Sequence, residues 1–539
     1  MTKQLLFLLA ALALATAGQG QAEVGFIPIN DAWSARLLAD IDSLGHTQVR
    51  PLNPFAYSAH RLAVAERTRW EAPLGKDSWL ANAVFNEDLF AIERPDFSLA
   101  IHPILDISLG QDSRQTDATT YLNSRGLALQ GRLGDNVAFT TDFRENQARF
   151  PVYVAEWIGD ASQRPQRVVP GQGIPKTFKQ DAAQYDFAVA SAQVNWQMSK
   201  IFNLELGYGK NFIGEGYRSL LLSDNAFNYP YLRLQTSFWK IQYTNIYAQL
   251  QDVNSLLPDG TYPRKYMVSH YLSVNISKKL NVGIYETVIY GDSTRTRGLD
   301  LAYLNPILFY RPIEFANGSK GGNVLLGLSA TYRMSSKLRA YGQFVLDEFK
   351  IDEWRAGDGW WGNKFGVQLG LKGQLAQPEL QYRLEVNTVR PYTYAHTETL
   401  QNYGHYNQAL AHPLGSNFRE VVGQVNYYRG RWLAEVQVNW QQTGLDTLGS
   451  NWGGNVYLSN GVREQEYNNK IAQGIQATTL LAQAKIGWVI NPAYNLRLEA
   501  GYLLRDFQPD LPVGNLVANQ TNYLFVGLRT ALNNLYFDF

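Results

Sequence analysis

The chain contains no cysteine. This excludes disulfides, thiolate metal sites, cysteine nucleophiles and a lipid-anchored cysteine at the start of a mature chain. Long apolar runs are also missing. Beyond the first two dozen residues, none reaches the ~20 residues that a membrane helix needs. A chain of this kind enters a membrane only as a closed barrel. A surplus of either charge is missing too: 48 basic and 47 acidic residues leave a formal net charge of +1. That balance gives no electrostatic footing for nucleic acid. Seven histidines and no H-E-x-x-H leave little for a transition-metal site, and nothing calls for a cofactor.

Aromatics and glycine are abundant instead, with 32 Tyr, 25 Phe, 13 Trp and 45 Gly. The chain opens with Lys3 and an apolar run from Leu5 to Ala17, then small residues around Ala22. This is the pattern of a secretory signal cleaved after Ala22. High aromatic content behind an export signal points to an outer-membrane barrel with aromatic girdles. The expected organisation is a signal peptide over 1–22, a short periplasmic or lumenal helical segment over 23–96, and a barrel over 97–539. In the middle segment, Trp33, Leu37, Leu38 and Ile41 have helical spacing, as do Trp79, Leu80, Ala83 and Val84.

From Phe97 onward, segments of ~10 residues alternate apolar and polar side chains. Leu380, Tyr382, Leu384 and Val386 alternate with Gln381, Arg383, Glu385 and Asn387; Trp432, Ala434, Val436, Val438 and Trp440 alternate with Glu435, Gln437 and Asn439. A soluble sandwich shows the same period. Full charges in mid-strand fit a water-facing lumen better. The pattern predicts eighteen antiparallel strands: 97–108, 123–133, 136–146, 184–197, 202–210, 231–239, 241–251, 266–277, 280–291, 324–334, 338–349, 364–374, 379–389, 418–429, 431–442, 476–490, 494–505 and 521–532. Even-numbered strands end in tight turns such as Gly134-Asp135, Lys278-Lys279, Ala376-Gln377 and Arg429-Gly430. Odd-numbered ones lead into long connections at 147–183, 211–230, 292–323, 350–363, 390–417 and 443–475. Short periplasmic turns and long external loops are the mark of a transmembrane barrel. The terminal Phe539 resembles a barrel-insertion signal. Its parity slips at Asn533-Asn534, so a bulge or a short tail is expected there.

Several motifs invite chemistry. Gly207-Tyr208-Gly209-Lys210 looks like a phosphate cradle, but Asn211 breaks a Walker loop and Phe212 takes the place of a third dinucleotide-binding glycine. These glycines are better read as letting a loop turn and approach the wall. Ser269 and His270 are adjacent on one strand, so they face opposite ways and form no catalytic pair. His396, His405 and His412 share a loop with Glu398 but at spacings that fit no single helix face. No catalytic or metal site is assigned, and the chain reads as a non-enzyme. The segment 354–366, "WRAGDGWWGNKFG", sets Trp354, Trp360 and Trp361 beside Asp358, Asn363 and Lys364; flat rings with polar neighbours suit sugar rings. "LAYLNPILFYRPIEFANG" (301–318) is too apolar for a solvated loop. It is expected to fold over or into the mouth, with Arg311 and Glu314 in a buried polar network.

Four stretches, "GKNFIGEGYRSLLLSDNAFNYPYLRL", "YRPIEFANGSKGGNVLLGL", "GWWGNKFGVQLGLK" and "RPYTYAHTETLQNYGHYNQALAHPLGSNF", resemble the capsule-assembly Wzi family. The likeness is greatest to its branch in Bacteroidetes-type bacteria, associated with gliding motility, and it runs from about Arg50 to Phe418. The resemblance implies an eighteen-stranded outer-membrane barrel with periplasmic helical material, occluded by its loops, that holds exported polysaccharide without acting as an enzyme. It assigns no sugar-contact residue. The residues themselves nominate Trp360, Trp361, Arg311, Glu314, Arg390 and Asn407 for a polysaccharide ligand. The expected partners are polysaccharide, outer-membrane lipid and other outer-membrane or periplasmic proteins, with no nucleic acid. The alternatives are a subunit of a gliding-motility or secretion-associated complex, and a diffusion porin.

Overall fold

The structure is a computed structural model that describes residues 26–30, 45–55, 74–75, 78–160, 166–178, 181–295, 298–304, 322–375, 380–447, 449–512, 517–530 and 533–539. Eighteen antiparallel strands close into one barrel. They are β1 (Phe97–Asp112), β2 (Gln115–Leu133), β3 (Val137–Arg149), β4 (Asp181–Gln197), β5 (Phe202–Gly209), β6 (Tyr229–Phe238), β7 (Ile241–Gln251), β8 (Arg264–Asn275) and β9 (Leu280–Asp292). The circuit continues through β10 (Asn323–Arg333), β11 (Leu338–Glu348), β12 (Lys364–Leu375), β13 (Leu380–Val389), β14 (Phe418–Arg429), β15 (Trp432–Leu445), β16 (Ile475–Asn491), β17 (Leu496–Pro509) and β18 (Asn519–Thr530).

Each strand expected from alternation is present, because each has one face for lipid and one for the lumen. On β13, Leu384 and Val386 are exposed outward while Glu385 and Asn387 are fully buried inside. Trp196, Phe238, Trp239, Tyr332 and Trp432 are exposed at the short-turn rim, which is the position of an aromatic girdle. These features make the chain an integral outer-membrane barrel. One boundary differs from expectation. β1 and β2 run well past 108 and before 123, and meet at Ser113-Arg114, so the first external connection is a tight turn. The Ala376-Gln377 turn, the signal segment and the helix expected around Trp33–Ile41 lie outside the described residues. The second expected helix is α1 (Trp79–Phe85), capped by Ser78, whose side chain accepts from the Ala81 N–H.

The barrel closes through seven residue pairs between β18 and β1, from Tyr523↔Asp112 to Arg529↔Asp106. Below them β1 pairs instead with Phe90–Arg94. The chain after β18 leaves the wall, so the C-terminal residues form a tail and not a bulged strand. Tyr536 and Asp538 are buried in the lumen, and Phe539 packs on Trp157 of α2 (Val152–Gly159), ring centres 5.1 Å apart.

Two more segments fill the lumen. Val49–Arg50 pairs with Phe212–Ile213 inside the barrel. Gln48 Nε2 donates to Asn281 Oδ1 and Thr331 Oγ1, both at 3.0 Å. Residues 211–228 then carry Leu220, Leu221 and Leu222 into an apolar core with Tyr394, Tyr403 and Leu410 of the 390–417 connection. The expectation for 301–318 is corrected in its described part. The turn Leu301–Leu304 lies on the outside of the wall, where Tyr303 stacks on Tyr290 at 4.8 Å and Tyr247 Oη donates to Leu304 O. The remainder, with Arg311 and Glu314, lies outside the described residues.

Candidate functional site at the external mouth

The plug explains the glycine-rich stretch after β5. At Gly216 an added Cβ would meet Glu385 Oε2 at 2.4 Å. Without it, the backbone N–H groups of Tyr217 and Arg218 reach the Glu385 carboxylate at 2.8 and 3.1 Å. Lys210, in the place of a phosphate-binding lysine, donates to Asp224 O at 2.9 Å. The loop approaches the wall at Gly216, whereas Gly207 and Gly209, expected to let the loop turn, lie on β5 itself. Arg218 is the hub of the plug. It is 1% exposed and bonds Glu420 at 2.8 Å and Asp538 at 3.0 Å. His412 Nε2 meets Glu420 from the other side at 2.6 Å.

Above this plug, 350–363 and 443–475 meet at the rim. α3 (Ile351–Ala356) ends at Gly357 with φ 75°, a left-handed position that favours glycine. Two residues on, Gly359 also has a positive φ, and a Cβ there would lie 2.8 Å from Asn469 O. That close approach lets Asn469 N–H donate to Gly359 O and Asn468 N–H to Asp358 O, at 2.9 and 2.7 Å.

The indole N–H groups of Trp360 and Trp361 then converge on one oxygen, Glu466 Oε1, at 2.9 and 3.0 Å. Arg463 pairs with the other oxygen of Glu466, and its guanidinium lies 4.2 Å from the Trp361 ring centre. The Arg463 hydrogen bond, followed by those of the two indoles, holds the Glu466 carboxyl below its ordinary pKa. Both tryptophans are half-buried, so their faces are fixed while part of each ring meets solvent.

Arg390 joins them. Its Nη2 donates to Trp360 O at 3.2 Å and its guanidinium lies over Phe365, and burial lowers its pKa. Asn407 does not join this group. It lies across the mouth, where Nδ2 donates to Gln166 O at 2.8 Å. Of the six nominated residues, three converge, one is remote, and Arg311 and Glu314 lie outside the described residues.

Glu466 and Arg463 went unnominated because they come about a hundred residues after the tryptophans; the only local signal was their charge in "NGVREQEYNNK". Ser269 and His270 face opposite ways, as expected. Ser269 Oγ meets Thr287 Oγ1, and His270 Nδ1 meets Tyr243 Oη. The loop histidines are separate too: His405 accepts from the Gln251 N–H, far from the His412–Glu420 contact. Among the described residues, no group of three or more acidic or histidine side chains is placed to hold a metal.

No protein-family model matches the chain, and no characterised protein matches it by sequence. Solved structures do. One is Wzi of Escherichia coli, described as an outer-membrane protein involved in group 1 capsule assembly and a carbohydrate-binding β-barrel. It aligns over 94% of this chain and 99% of its own, with a TM-score of 0.55 and 13% identity. In fold, this chain is similar to Wzi. Two Pseudomonas aeruginosa barrels also align: OpdK, solved with vanillate, over 80% of this chain and 98% of its own (TM-score 0.43, 8% identity), and OprD over 82% and 96% (TM-score 0.40, 10% identity).

Proposed function

We propose that this chain is a non-enzymatic outer-membrane barrel that binds surface polysaccharide at its external rim, in the manner of the capsule-assembly family that its sequence resembles. The observation that carries the reading is the pair Trp360–Trp361, pinned by one carboxylate above a filled lumen. Stacking on a sugar ring needs an aromatic face held at fixed orientation. The Glu466 bonds supply that orientation through the ring edges, while Arg463 covers one face of Trp361 and Lys350 lies over Trp360. Arg390 and Arg463 add hydrogen-bond donors beside the rings for sugar hydroxyl or carboxylate oxygens. Wzi, whose fold this chain shares, is described as carbohydrate-binding, and that supports the same ligand class here.

The segments 211–228 and 390–417 that fill one half of the lumen count against the diffusion porin. The gliding-motility or secretion-complex reading draws on no feature of the rim and stands as the alternative. Replacing both tryptophans (Trp360→Ala with Trp361→Ala) is expected to release polysaccharide from cells and to weaken binding of purified barrel by at least tenfold. Unchanged retention with a folded barrel defeats the proposal.

A further inference from the structure

Between residues 533–538 and the wall of β14–β18, β1 and β2 lies a cavity of about 270 Å³. It is separate from the rim and borders the plug at Tyr217. Its lining carries Asp106, Glu435, Glu499 and Asp538 with Arg149, Lys485, Arg497 and Arg529, four acids against four bases; Asp538 pairs with Arg218. Six of these groups pair with one another: Lys485 with Glu435 at 2.7 Å, Arg497 with Glu499 at 2.9 Å, and Arg529 with both Asp106 and Glu499 at 3.4 Å. Glu435, Arg497 and Glu499 are buried.

Buried ion pairs are poor stabilisers, since apolar residues of equal volume often serve as well or better. Stability alone therefore does not explain the three buried members of this set beside a void. Their balance restricts what the void accepts. An ionic ligand leaves a surplus charge in a low-dielectric interior. A neutral ligand rich in hydroxyls donates to the carboxylates and accepts from the guanidinium groups without upsetting the balance. Tyr523 and Phe525 line the same cavity and offer ring faces for the CH side of a sugar. Gln483 and Asn426 add neutral hydrogen-bonding groups. The volume lies just under the ~300–1,000 Å³ of drug-sized sites, which limits the ligand to one or two rings.

We infer that this cavity is a second saccharide site, inside the barrel, for a neutral mono- or disaccharide. It does not depend on the rim. The test is titration calorimetry of the purified full chain with glucose, galactose and lactose, and with glucuronate as the charged control. At least one neutral sugar is expected to bind saturably at one per chain, and at least tenfold more tightly than glucuronate. That binding should survive Trp360→Ala/Trp361→Ala. It should weaken at least tenfold in Ser108→Trp, which fills the cavity, and in Gln483→Leu/Asn426→Leu, which keeps the ion pairs and guards against a misfolded filler variant. Heat-modified gel mobility reports that each barrel is folded. The inference is overturned if no neutral sugar binds, if glucuronate binds as tightly, if binding is lost with the rim tryptophans, or if a folded cavity variant binds unchanged.

Discussion

Along β5–β14 the lumen is filled with chain: 46–53, 211–228 and 390–417 meet there in an apolar core around Leu221 and Tyr403. Along β15–β18 and β1–β4 the wall carries paired charges, and a cavity remains beside the tail. Both halves are strands of the same alternating pattern. The difference comes from what enters. Apolar loop residues displace water on one side, while the tail brings Asp538 and Asn534 and leaves room on the other. A barrel lumen is therefore not one environment, and the two halves should fail differently when disturbed.

The largest effect is expected where the halves join, at Arg218. Arg218→Met leaves Glu420 and Asp538 buried without their cation, at a cost of roughly 4 kcal/mol. Steady conductance in planar bilayers should appear where the intact barrel shows little; an unchanged trace refutes the hub role. Next, Leu221→Ala opens a hole in the plugged half, costing roughly 3 kcal/mol. A clear drop in thermal midpoint in detergent is expected, and a drop below one degree contradicts a well-packed plug. In the charged half, Lys485→Met should cost less, about 1.5 kcal/mol, because Glu435 keeps Arg497 at 3.7 Å. If this loss equals that of Arg218→Met, the distinction between the halves collapses.

The smallest effect belongs to the rim. Glu466 has a depressed carboxyl pKa in the folded chain, so its link to Arg463 and the indoles is fully present above the ordinary carboxylate pKa of ~4.3. It is lost as pH falls through the folded value. Tryptophan emission of the intact chain should differ from that of Glu466→Gln near neutrality and converge with it only as pH falls through the folded value, below the ordinary ~4.3. A constant difference across that range means Glu466 does not hold the pair.

The strands were legible one by one because a wall facing lipid on one side and polar groups on the other must alternate, and Glu385 between Leu384 and Val386 shows it within three residues. The Trp360–Trp361 pair was legible as composition. Its partner Glu466 was not, since a loop-to-loop contact over a hundred residues leaves no local period. The apolar run after Leu301 was recognised as unfit for solvent, yet its described turn covers the outer face of β8–β9 and not the mouth. Burial demand reads from sequence; the surface that meets it does not.

By itself, the sequence determined the strand number, the lipid-facing stripe, the sorting of short and long connections other than the tight first external turn, and the absence of cysteine chemistry. All of these follow from local alternation and composition. Only the tertiary structure decided that the tail after β18 turns inward to Arg218, that residues 46–53 line the lumen, and that one half is packed while the other keeps a charge-balanced cavity. Those outcomes depend on which distant segments compete for the same enclosed volume, and no short stretch of chain encodes that competition.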